Sequence, residues 1–301
     1  MLAYRTNGAF GVRPLAWFDR TGRIIRVVDQ IEGLALNVES SPDRNRVAFD
    51  RMTAGHRNIW ILEPVRKINQ RFTFATADDI APVWSPDGSR IVFASNRTGV
   101  YNLFWKSSTS SGDDELLLES SQSKFPMDWS SDGRFILYRV SDSKDGLDLW
   151  VLPLYGDRMP FVFVKTAFDE RDGKFSPDVR WIAYQSNESG HYEIYVQPFP
   201  GPGPKRQVSN SGGTQPRWNS DGKELFYVAA DGKLMSVSVE TSNGALDFKP
   251  PVELFPTHIL EIAGQKQQYV VSPNGQEFLL NAPTDIPTSP INIILNWKPK
   301  S

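Results

Sequence analysis

The chain has 301 residues, with 33 lysines and arginines against 35 aspartates and glutamates, and a formal net charge of −2. This near-neutral charge, without a long basic run, argues against a dedicated nucleic-acid surface, because phosphate binding depends on clustered Lys and Arg. No apolar stretch approaches the roughly 18 residues that a membrane helix needs, so we expect no membrane insertion by this segment. Zero cysteines exclude disulfides, thiolate metal sites and cysteine nucleophiles, and leave the cellular compartment open.

Short alternating apolar runs between turn residues extend along the whole chain, and no window keeps a helical i, i+3, i+4, i+7 apolar pattern. Glycine and proline number 22 each, and Phe, Tyr and Trp make up 12% of the residues. This composition implies many turns and many strands. The sequence therefore predicts an almost entirely β protein.

A turn motif recurs six times at intervals of 43 to 53 residues, each copy with Asp or Asn at its centre. This spacing is typical of a four-stranded propeller blade. In the fullest copies Ser, Pro, Asp and Gly follow one another, and these residues favour a tight hairpin turn. We call the central residue of each copy the tip residue. The six tip residues are Asp43, Asp87, Asp132, Asp178, Asp221 and Asn274.

Four strands are predicted around each tip residue. The first precedes the tip, and in four copies carries a large aromatic three residues before it: Trp84, Trp129, Phe175 and Trp218. The second follows the tip, with apolar residues four and six positions after it, as in Val47 and Phe49. The third lies about 17 residues after the tip, as at 59–61, and a less regular fourth at 71–74, 115–118 and 252–255. Four strands per copy predict a six-bladed β-propeller, with seven blades as the alternative.

The copies at 82–97 and 175–184, which contain Trp84-Ser85-Pro86-Asp87-Gly88 and Phe175-Ser176-Pro177-Asp178, resemble the β-propeller repeats of the TolB family. Residues 15–22, 195–201 and 293–297 are similar to the propeller regions attached to bacterial serine/threonine protein kinases. The resemblance covers essentially the whole chain and implies one propeller domain over residues 1–301 with a binding or sensory role. The sequence contains no Gly-rich loop, His-Arg-Asp or Asp-Phe-Gly motif of a kinase.

Both chain ends are expected to close the ring. The last copy offers a first strand at 269–271, a second at 278–281 and a third at 291–297, and it lacks an outer strand. Spare strands precede the first tip at 15–18 and 24–28. We expect an N-terminal strand to complete the last blade and so cover open sheet edges. Alternatively, the spare strands form a seventh blade.

The sequence gives little support for catalysis or metal binding. His56 and His191 fall at equivalent positions of blades 1 and 4 and cannot share a metal, and neither Gly-x-Ser-x-Gly nor His-Glu-x-x-His is present. We expect no cofactor and no metal. Four charged residues before first strands are predicted to lie in polar loops at the channel mouth: Asp78, Asp79, Glu170 and Arg171. A hydrolase or lyase would use Asp79, Glu170 or a bound metal there.

The first strands give a more specific prediction. If the aromatic residue before the tip packs between blades, strand alternation turns the residues four and six positions before the tip toward the central channel. A water-filled channel also explains why most of these are polar. We predict that they form a mixed-charge binding site: Asn37, Glu39, Asp128, Asp172, Lys174, Gln215, Arg217 and Gln268. Because exposed charges add little to folding stability, alanine at position 128, 174 or 217 is expected to leave stability nearly unchanged.

The sequence thus favours a non-catalytic binding or sensor propeller. Its channel charges match a small zwitterionic ligand or an inserted protein or peptide segment. The resemblance implies binding of a partner's extended segment at the channel, a place in a larger bacterial signalling or envelope protein, and fusion to or action with a protein kinase domain. The alternatives are a propeller hydrolase or lyase with a carboxylate or metal site at the channel mouth, and the gating propeller of a prolyl-oligopeptidase-type peptidase.

Overall fold

The computed structural model describes residues 2–4, 13–31, 35–53, 55–109, 112–142, 146–242, 244–259, 268–281 and 292–294. Within these residues every regular element is a β-strand. The strands are β1 (Leu2–Tyr4), β2 (Arg13–Asp19), β3 (Ile24–Ile31), β4 (Leu36–Ser40), β5 (Val47–Thr53), β6 (His56–Glu63), β7 (Ile68–Arg71), β8 (Asp79–Trp84), β9 (Arg90–Thr98), β10 (Val100–Ser107), β11 (Glu115–Leu118), β12 (Ser123–Trp129), β13 (Phe135–Asp142), β14 (Gly146–Pro153), β15 (Phe161–Val164), β16 (Glu170–Phe175), β17 (Trp181–Ser186), β18 (Glu193–Pro198), β19 (Arg206–Gln207), β20 (Thr214–Trp218), β21 (Glu224–Val228), β22 (Lys233–Ser242), β23 (Ala245–Phe248), β24 (Val252–Pro256), β25 (Tyr269–Val271), β26 (Glu277–Asn281) and β27 (Asn292–Ile294).

These strands form the six four-stranded antiparallel blades of a β-propeller. Blades 1 to 4 are β4–β7, β8–β11, β12–β15 and β16–β19. Blade 5 consists of β20, β21, β22 and β24, and β23 extends the far end of β22. Blade 6 is built from both ends of the chain, in the order β25, β26, β2, β3. The first strands β4, β8, β12, β16, β20 and β25 contact one another in a closed ring around the central channel.

The hydrophobic core is divided among the interfaces between blades. Each of six apolar clusters holds residues from two consecutive blades, and the cluster between blades 6 and 1 closes the circle. Between blades 1 and 2, for example, Ile59 and Phe72 pack with Trp84 and Phe93. Strand alternation explains this arrangement, because every middle strand presents one set of side chains to each neighbouring blade.

The six turns of the repeated motif lie on one face of the ring, which we call the tip face. In each turn the residue after the tip residue has a positive φ, between 59° and 75°, and donates its N–H to a carbonyl three residues earlier. Glycine occupies this position in four copies, whereas Arg44 and Val179 adopt it in the other two. A Cβ at Gly88 would lie 3.7 Å from Pro42 of the preceding tip, so consecutive tips touch through proline and glycine.

The ring closes with strands from both chain ends, as predicted, but the third strand of blade 6 was placed wrongly. That strand is β2, whose residues Leu15–Asp19 pair with Glu277–Asn281, and β3 is the outer strand. Of the predicted segment 291–297, Asn292–Ile294 instead pairs with Leu2–Tyr4 in a separate two-stranded sheet. The β2–β3 hairpin fills both remaining places because Leu15 and Trp17 of β2 are buried between blades 6 and 1.

A bulge interrupts the pairing of the first strand with the second in blades 1 to 5. The register shifts between Leu36 and Glu39 in blade 1, and at the equivalent place in the next four blades. In blades 1, 2, 4 and 5 the residue six positions before the tip has a positive φ of 53° to 58°. The bulge adds residues to the first strand and changes the direction of its side chains, so side chains do not alternate regularly across it.

Candidate functional site at the channel mouth

The residues four positions before the tips form a ring at the tip-face end of the channel. In blades 2 and 6 this position holds Val83 and Val270. The other four blades place charged side chains there: Glu39 from blade 1, Asp128 from blade 3, Lys174 from blade 4 and Arg217 from blade 5. The structure therefore brings together these four of the eight predicted channel residues.

The four charged side chains are joined by hydrogen bonds across the channel. Lys174 Nζ lies 3.0 Å from Glu39 Oε1 and 3.3 Å from Asp128 Oδ1. Arg217 donates two parallel bonds to Glu39, of 3.0 Å to Oε1 and 3.1 Å to Oε2. Because blades 1 and 4 are opposite each other in a ring of six, the Lys174–Glu39 pair spans the channel. We call these four residues the charged floor.

The charged floor is mostly buried, which corrects the expectation that these charges are exposed to solvent. Glu39, Lys174 and Arg217 are 8%, 6% and 9% exposed, and the Asp128 side chain is 20% exposed. Lys174 also donates to the Met127 carbonyl, and Asp128 accepts the backbone N–H of Phe175. Breaking a buried, hydrogen-bonded ion pair is strongly destabilising. Substitutions in the floor should therefore cost stability, contrary to the sequence-based prediction.

A funnel opens above the charged floor on the tip face. Its volume is about 400 Å³, within the range of about 300 to 1,000 Å³ typical of ligand pockets. Trp129, Phe175 and Trp218 line its walls, together with polar and proline residues of the tips of blades 3 to 6. The Trp218 indole is held by a 3.3 Å hydrogen bond to the Lys174 carbonyl. An entering ligand would meet aromatic walls, tip hydroxyls and a floor carrying both signs of charge.

The remaining predicted channel residues lie at the bulge, one layer below the charged floor. Asn37 donates to buried Asp50 of its own blade at 2.7 Å. Gln215 accepts the backbone N–H of Gln268 from the next blade, also at 2.7 Å. Buried Asp172 lies close enough to Arg139 to act on the pKa of that guanidinium. These polar groups are used within and between blades because the bulge breaks the alternation assumed from the sequence.

Three of the four residues predicted for loops at the channel mouth lie within strands instead. Asp79, Glu170 and Arg171 belong to strands β8 and β16, at the end of the channel opposite the tips, and only Asp78 precedes its strand. Asp79 is fully buried and pairs with Arg97 at 2.9 Å. Glu170 is also fully buried, and burial raises the pKa of its carboxyl although the hydroxyls of Thr166 and Ser186 donate to it. These carboxylates are buried because they bind residues from other parts of the chain, and the sequence alone does not identify those partners.

Burial also perturbs two cations at that opposite end. It lowers the pKa of Lys124 to about 8, although the ammonium group donates to Asn102 and the Gln122 carbonyl. It likewise lowers the pKa of Arg139 to about 10, and the guanidinium of Arg139 stacks on Phe125 at 4.6 Å. Sequence reasoning missed both residues, because the burial of a charged side chain depends on neighbouring strands and blades, which one repeat does not reveal.

No group of three or more potential metal ligands occurs among the residues that the structure describes. The side chains of His56 and His191 are 48% and 58% exposed, and lie on different blades. In the same part of the chain, no helix is long and apolar enough to cross a membrane.

Sequence comparison finds similarity to TolB-type propellers. The model of the TolB beta propeller domain matches residues 19–147. An uncharacterized peptidase of Bacillus subtilis, YuxL, is 24% identical over 202 residues, which cover 52% of this chain and 31% of the peptidase. The chain thus spans about a third of the length of this curated relative.

Solved structures show the same architecture. A putative TolB from Agrobacterium tumefaciens superposes with a TM-score of 0.69 at 18% identity, over 91% of this chain and 98% of that one. TolB from Acinetobacter baumannii gives a TM-score of 0.61 at 16% identity, over 82% and 65% of the two chains. The fold is that of a TolB-like six-bladed β-propeller. An oligogalacturonate lyase in complex with manganese shares it at 12% identity, with a TM-score of 0.52 over 94% and 96%, so the fold alone leaves the activity open.

Proposed function

We propose that this propeller is a non-catalytic recognition module that binds an extended peptide segment of a partner protein in the funnel on its tip face. The observation that carries the proposal is the charged floor, which places two cations and two anions from four blades at the base of a pocket with aromatic walls. Such a surface offers stacking to side chains and charge-assisted hydrogen bonds to peptide termini or charged groups.

The charged floor closes the base of the funnel, so the funnel is a pocket with one opening. Side chains from opposite blades meet in it, so a segment entering from the tip face is stopped there. The Asp128 carboxylate keeps the largest exposed fraction of the four groups and faces the funnel that it lines. A zwitterionic small molecule has the same charge pattern as a peptide end, and is the smaller ligand that this pocket would hold.

The proposal is tested by blocking the funnel without disturbing the buried floor. Ser131 and Ser220 line it and are exposed, so Ser131→Trp and Ser220→Trp should fill the entrance and leave the fold intact. The probe is the set of peptides enriched from a randomised display library on the immobilised parent protein, titrated by fluorescence polarisation. We expect at least about tenfold weaker binding to both variants.

Ser189→Trp is the matched control, because Ser189 is exposed in a hairpin of blade 4 on the face opposite the tips. It should bind the peptides as tightly as the parent. Failure of any peptide to enrich, or equal binding by the blocked variants, would overturn the assignment of the funnel as a peptide site.

A gating propeller of a peptidase is the second candidate, supported by the sequence similarity to YuxL. The coding sequence on either side of this chain discriminates between the two. A neighbouring catalytic domain with a Gly-x-Ser-x-Gly nucleophile motif favours the gating function. A neighbouring kinase domain favours a sensor in a bacterial signalling protein. Asp79 and Glu170, the carboxylates that a hydrolase or lyase would use, are buried and hydrogen-bonded within the fold.

A further inference from the structure

We propose that a cleft between the tips of blades 2 and 3 is a second subsite for the same peptide, and that it takes an aromatic side chain with an adjacent carboxylate. We call it the tip cleft; it is lined by Arg90, Trp105, Glu115, Trp129 and Arg158, with the two tips. This inference rests on the proposed function, because Trp129 and Ser131 line both the tip cleft and the funnel. A peptide that fills the funnel can therefore continue into the cleft.

Stacked side chains build the apolar part of the tip cleft. Its volume is about 850 Å³. The rings of Trp105 and Trp129 are stacked, with centroids 6.2 Å apart and planes inclined by 16°. The Arg90 guanidinium carbon lies 4.2 Å from the Trp105 ring centroid. Trp105 is itself held by a 2.9 Å hydrogen bond from its indole N–H to Glu115. The aromatic surface is therefore fixed in place before any ligand arrives, which lowers the entropy cost of binding.

The two arginines are the charged groups of the tip cleft that remain available to a ligand. Its three carboxylates already accept hydrogen bonds: Asp87 from Ser85 and Ser89, Glu115 from Trp105, and Asp132 from Ser130 and Arg134. By contrast, the guanidinium groups of Arg90 and Arg158 form no hydrogen bond or ion pair with another residue of the described ranges, although the backbone N–H of Arg90 donates to Ser85. The N–H groups of a guanidinium lie in its own plane and point outward, so a guanidinium that covers a ring with one face can still bind a carboxylate at its edge.

The arginine at the equivalent position of blade 1 shows that an unpaired guanidinium is not a general feature of the repeat. Arg46, three residues after its tip as Arg90 is, also stacks on a tryptophan, with its guanidinium carbon 4.6 Å from the Trp84 ring. Its N–H groups, however, donate to the carbonyls of Ser108 and Gly88. The same position in blade 1 is thus satisfied within the fold, whereas in blade 2 it remains open to a ligand.

The first test uses a probe that does not depend on the funnel. 3-Phenylpropionate carries the proposed chemistry, and 3-phenylpropionamide is its neutral counterpart. Saturation-transfer NMR titrations should give at least about fivefold tighter binding of the carboxylate to the parent, since a charge-assisted hydrogen bond contributes about 10- to 150-fold at best. Arg90→Gln should abolish the preference, and Arg90→Lys should retain part of it. Arg134→Gln is the control, because the Arg134 guanidinium is already bound to Asp132 of the cleft.

The second test uses the display-selected peptides and separates the two sources of the carboxylate. Synthetic versions with a free or an amidated C-terminus, and with Glu replaced by Gln beside the aromatic residue, identify which carboxylate Arg90 binds. Weaker binding to Arg90→Gln in either series supports the inference. Peptides that lose affinity for Ser220→Trp but not for Arg90→Gln would leave the funnel assignment standing and overturn the cleft. Equal binding of acid and amide probes by the parent would also overturn it.

Discussion

The geometry of the charged floor predicts how much stability the protein loses when one of its charges is removed. Glu39 accepts three charge-assisted hydrogen bonds of 3.0 to 3.1 Å from two buried cations. Glu39→Gln keeps the shape of the side chain but removes the charge that both cations share. Breaking a buried ion pair typically costs about 3 to 5 kcal/mol, because an uncompensated charge is left in a poorly solvated place. We expect the lower end, about 3 kcal/mol, since Lys174 keeps Asp128 and a carbonyl as partners.

Thermal unfolding followed by tryptophan fluorescence at pH 7 measures this cost. With an unfolding entropy of about 2.1 cal/mol/K per residue, a loss of about 3 kcal/mol lowers the melting temperature by about 5 °C. Glu63→Gln is the control, because Glu63 pairs with an arginine whose side chain is 72% exposed; it should shift the melting temperature by less than about 1 °C.

A double-mutant cycle identifies the cause of the loss. If stranded cations produce it, Arg217→Gln should cost less in the Glu39→Gln background than in the parent, because the second substitution removes one of the unpaired charges. The reasoning is refuted if Glu39→Gln melts within about 1 °C of the parent, or if the two losses simply add.

Three further predictions concern the seam of the ring and two titrating groups. Arg20 of blade 6 binds Glu224 of blade 5 at 2.7 Å. Arg20→Met should therefore lower the free energy of unfolding in urea by about 1 to 2 kcal/mol, against less than about 0.5 kcal/mol for the exposed Arg23→Met. Equal losses would contradict a stabilising contact between blades 5 and 6. The hydroxyl of Ser85 lowers the pKa of Asp87 to about 2 from its ordinary 3.8, so Asp87 stabilises the fold above pH 4 and this contribution is lost as pH falls toward 2. The melting temperature of Asp87→Asn should lie below that of the parent at pH 6 and converge with it near pH 2; a constant difference would refute this. Burial lowers the pKa of Lys124 to about 8, so the unfolded chain binds more protons than the folded chain between about pH 8 and 10.4, and Lys124 makes stability rise with pH over that range. The melting temperature of the parent should therefore rise relative to that of Lys124→Met between these pH values, and parallel curves would exclude the effect.

The repeat was predictable from sequence because its determinants are local. A tip such as Ser85-Pro86-Asp87-Gly88 specifies its own turn, and apolar alternation after it specifies the second strand. Closure is different, since the pairing of β2 with β26 joins segments about 260 residues apart in the chain. Predicting that both ends contribute needed only a count of strands. Choosing β2 over 291–297 as the third strand required knowledge of which segment packs between blades 6 and 1.

The same distinction separates the positions in the channel that follow from the sequence from those that do not. The position of Glu39 and Arg217 relative to their tips follows from strand register on the near side of the bulge, so the sequence placed both at the channel. Beyond the bulge, alternation fails, and Asn37 and Gln215 turn to partners within and between blades. The burial of Asp79 depends on Arg97 from the following strand, and the burial of the floor depends on charges meeting across the ring. Neither can be deduced from one repeat considered alone.

Differences between repeats point to the binding face more directly than their similarities do. The residues four and six positions after the tips are apolar in every blade and fill the interfaces, as a stacked architecture requires. Four positions before the tips, the blades carry Glu, Val, Asp, Lys, Arg and Val, a sequence that no common packing role demands. Arg46 and Arg90 differ in the same way, one satisfied by carbonyls and the other open in the tip cleft. Both departures from the repeat lie on the tip face and meet at Trp129, where the proposed peptide would contact both.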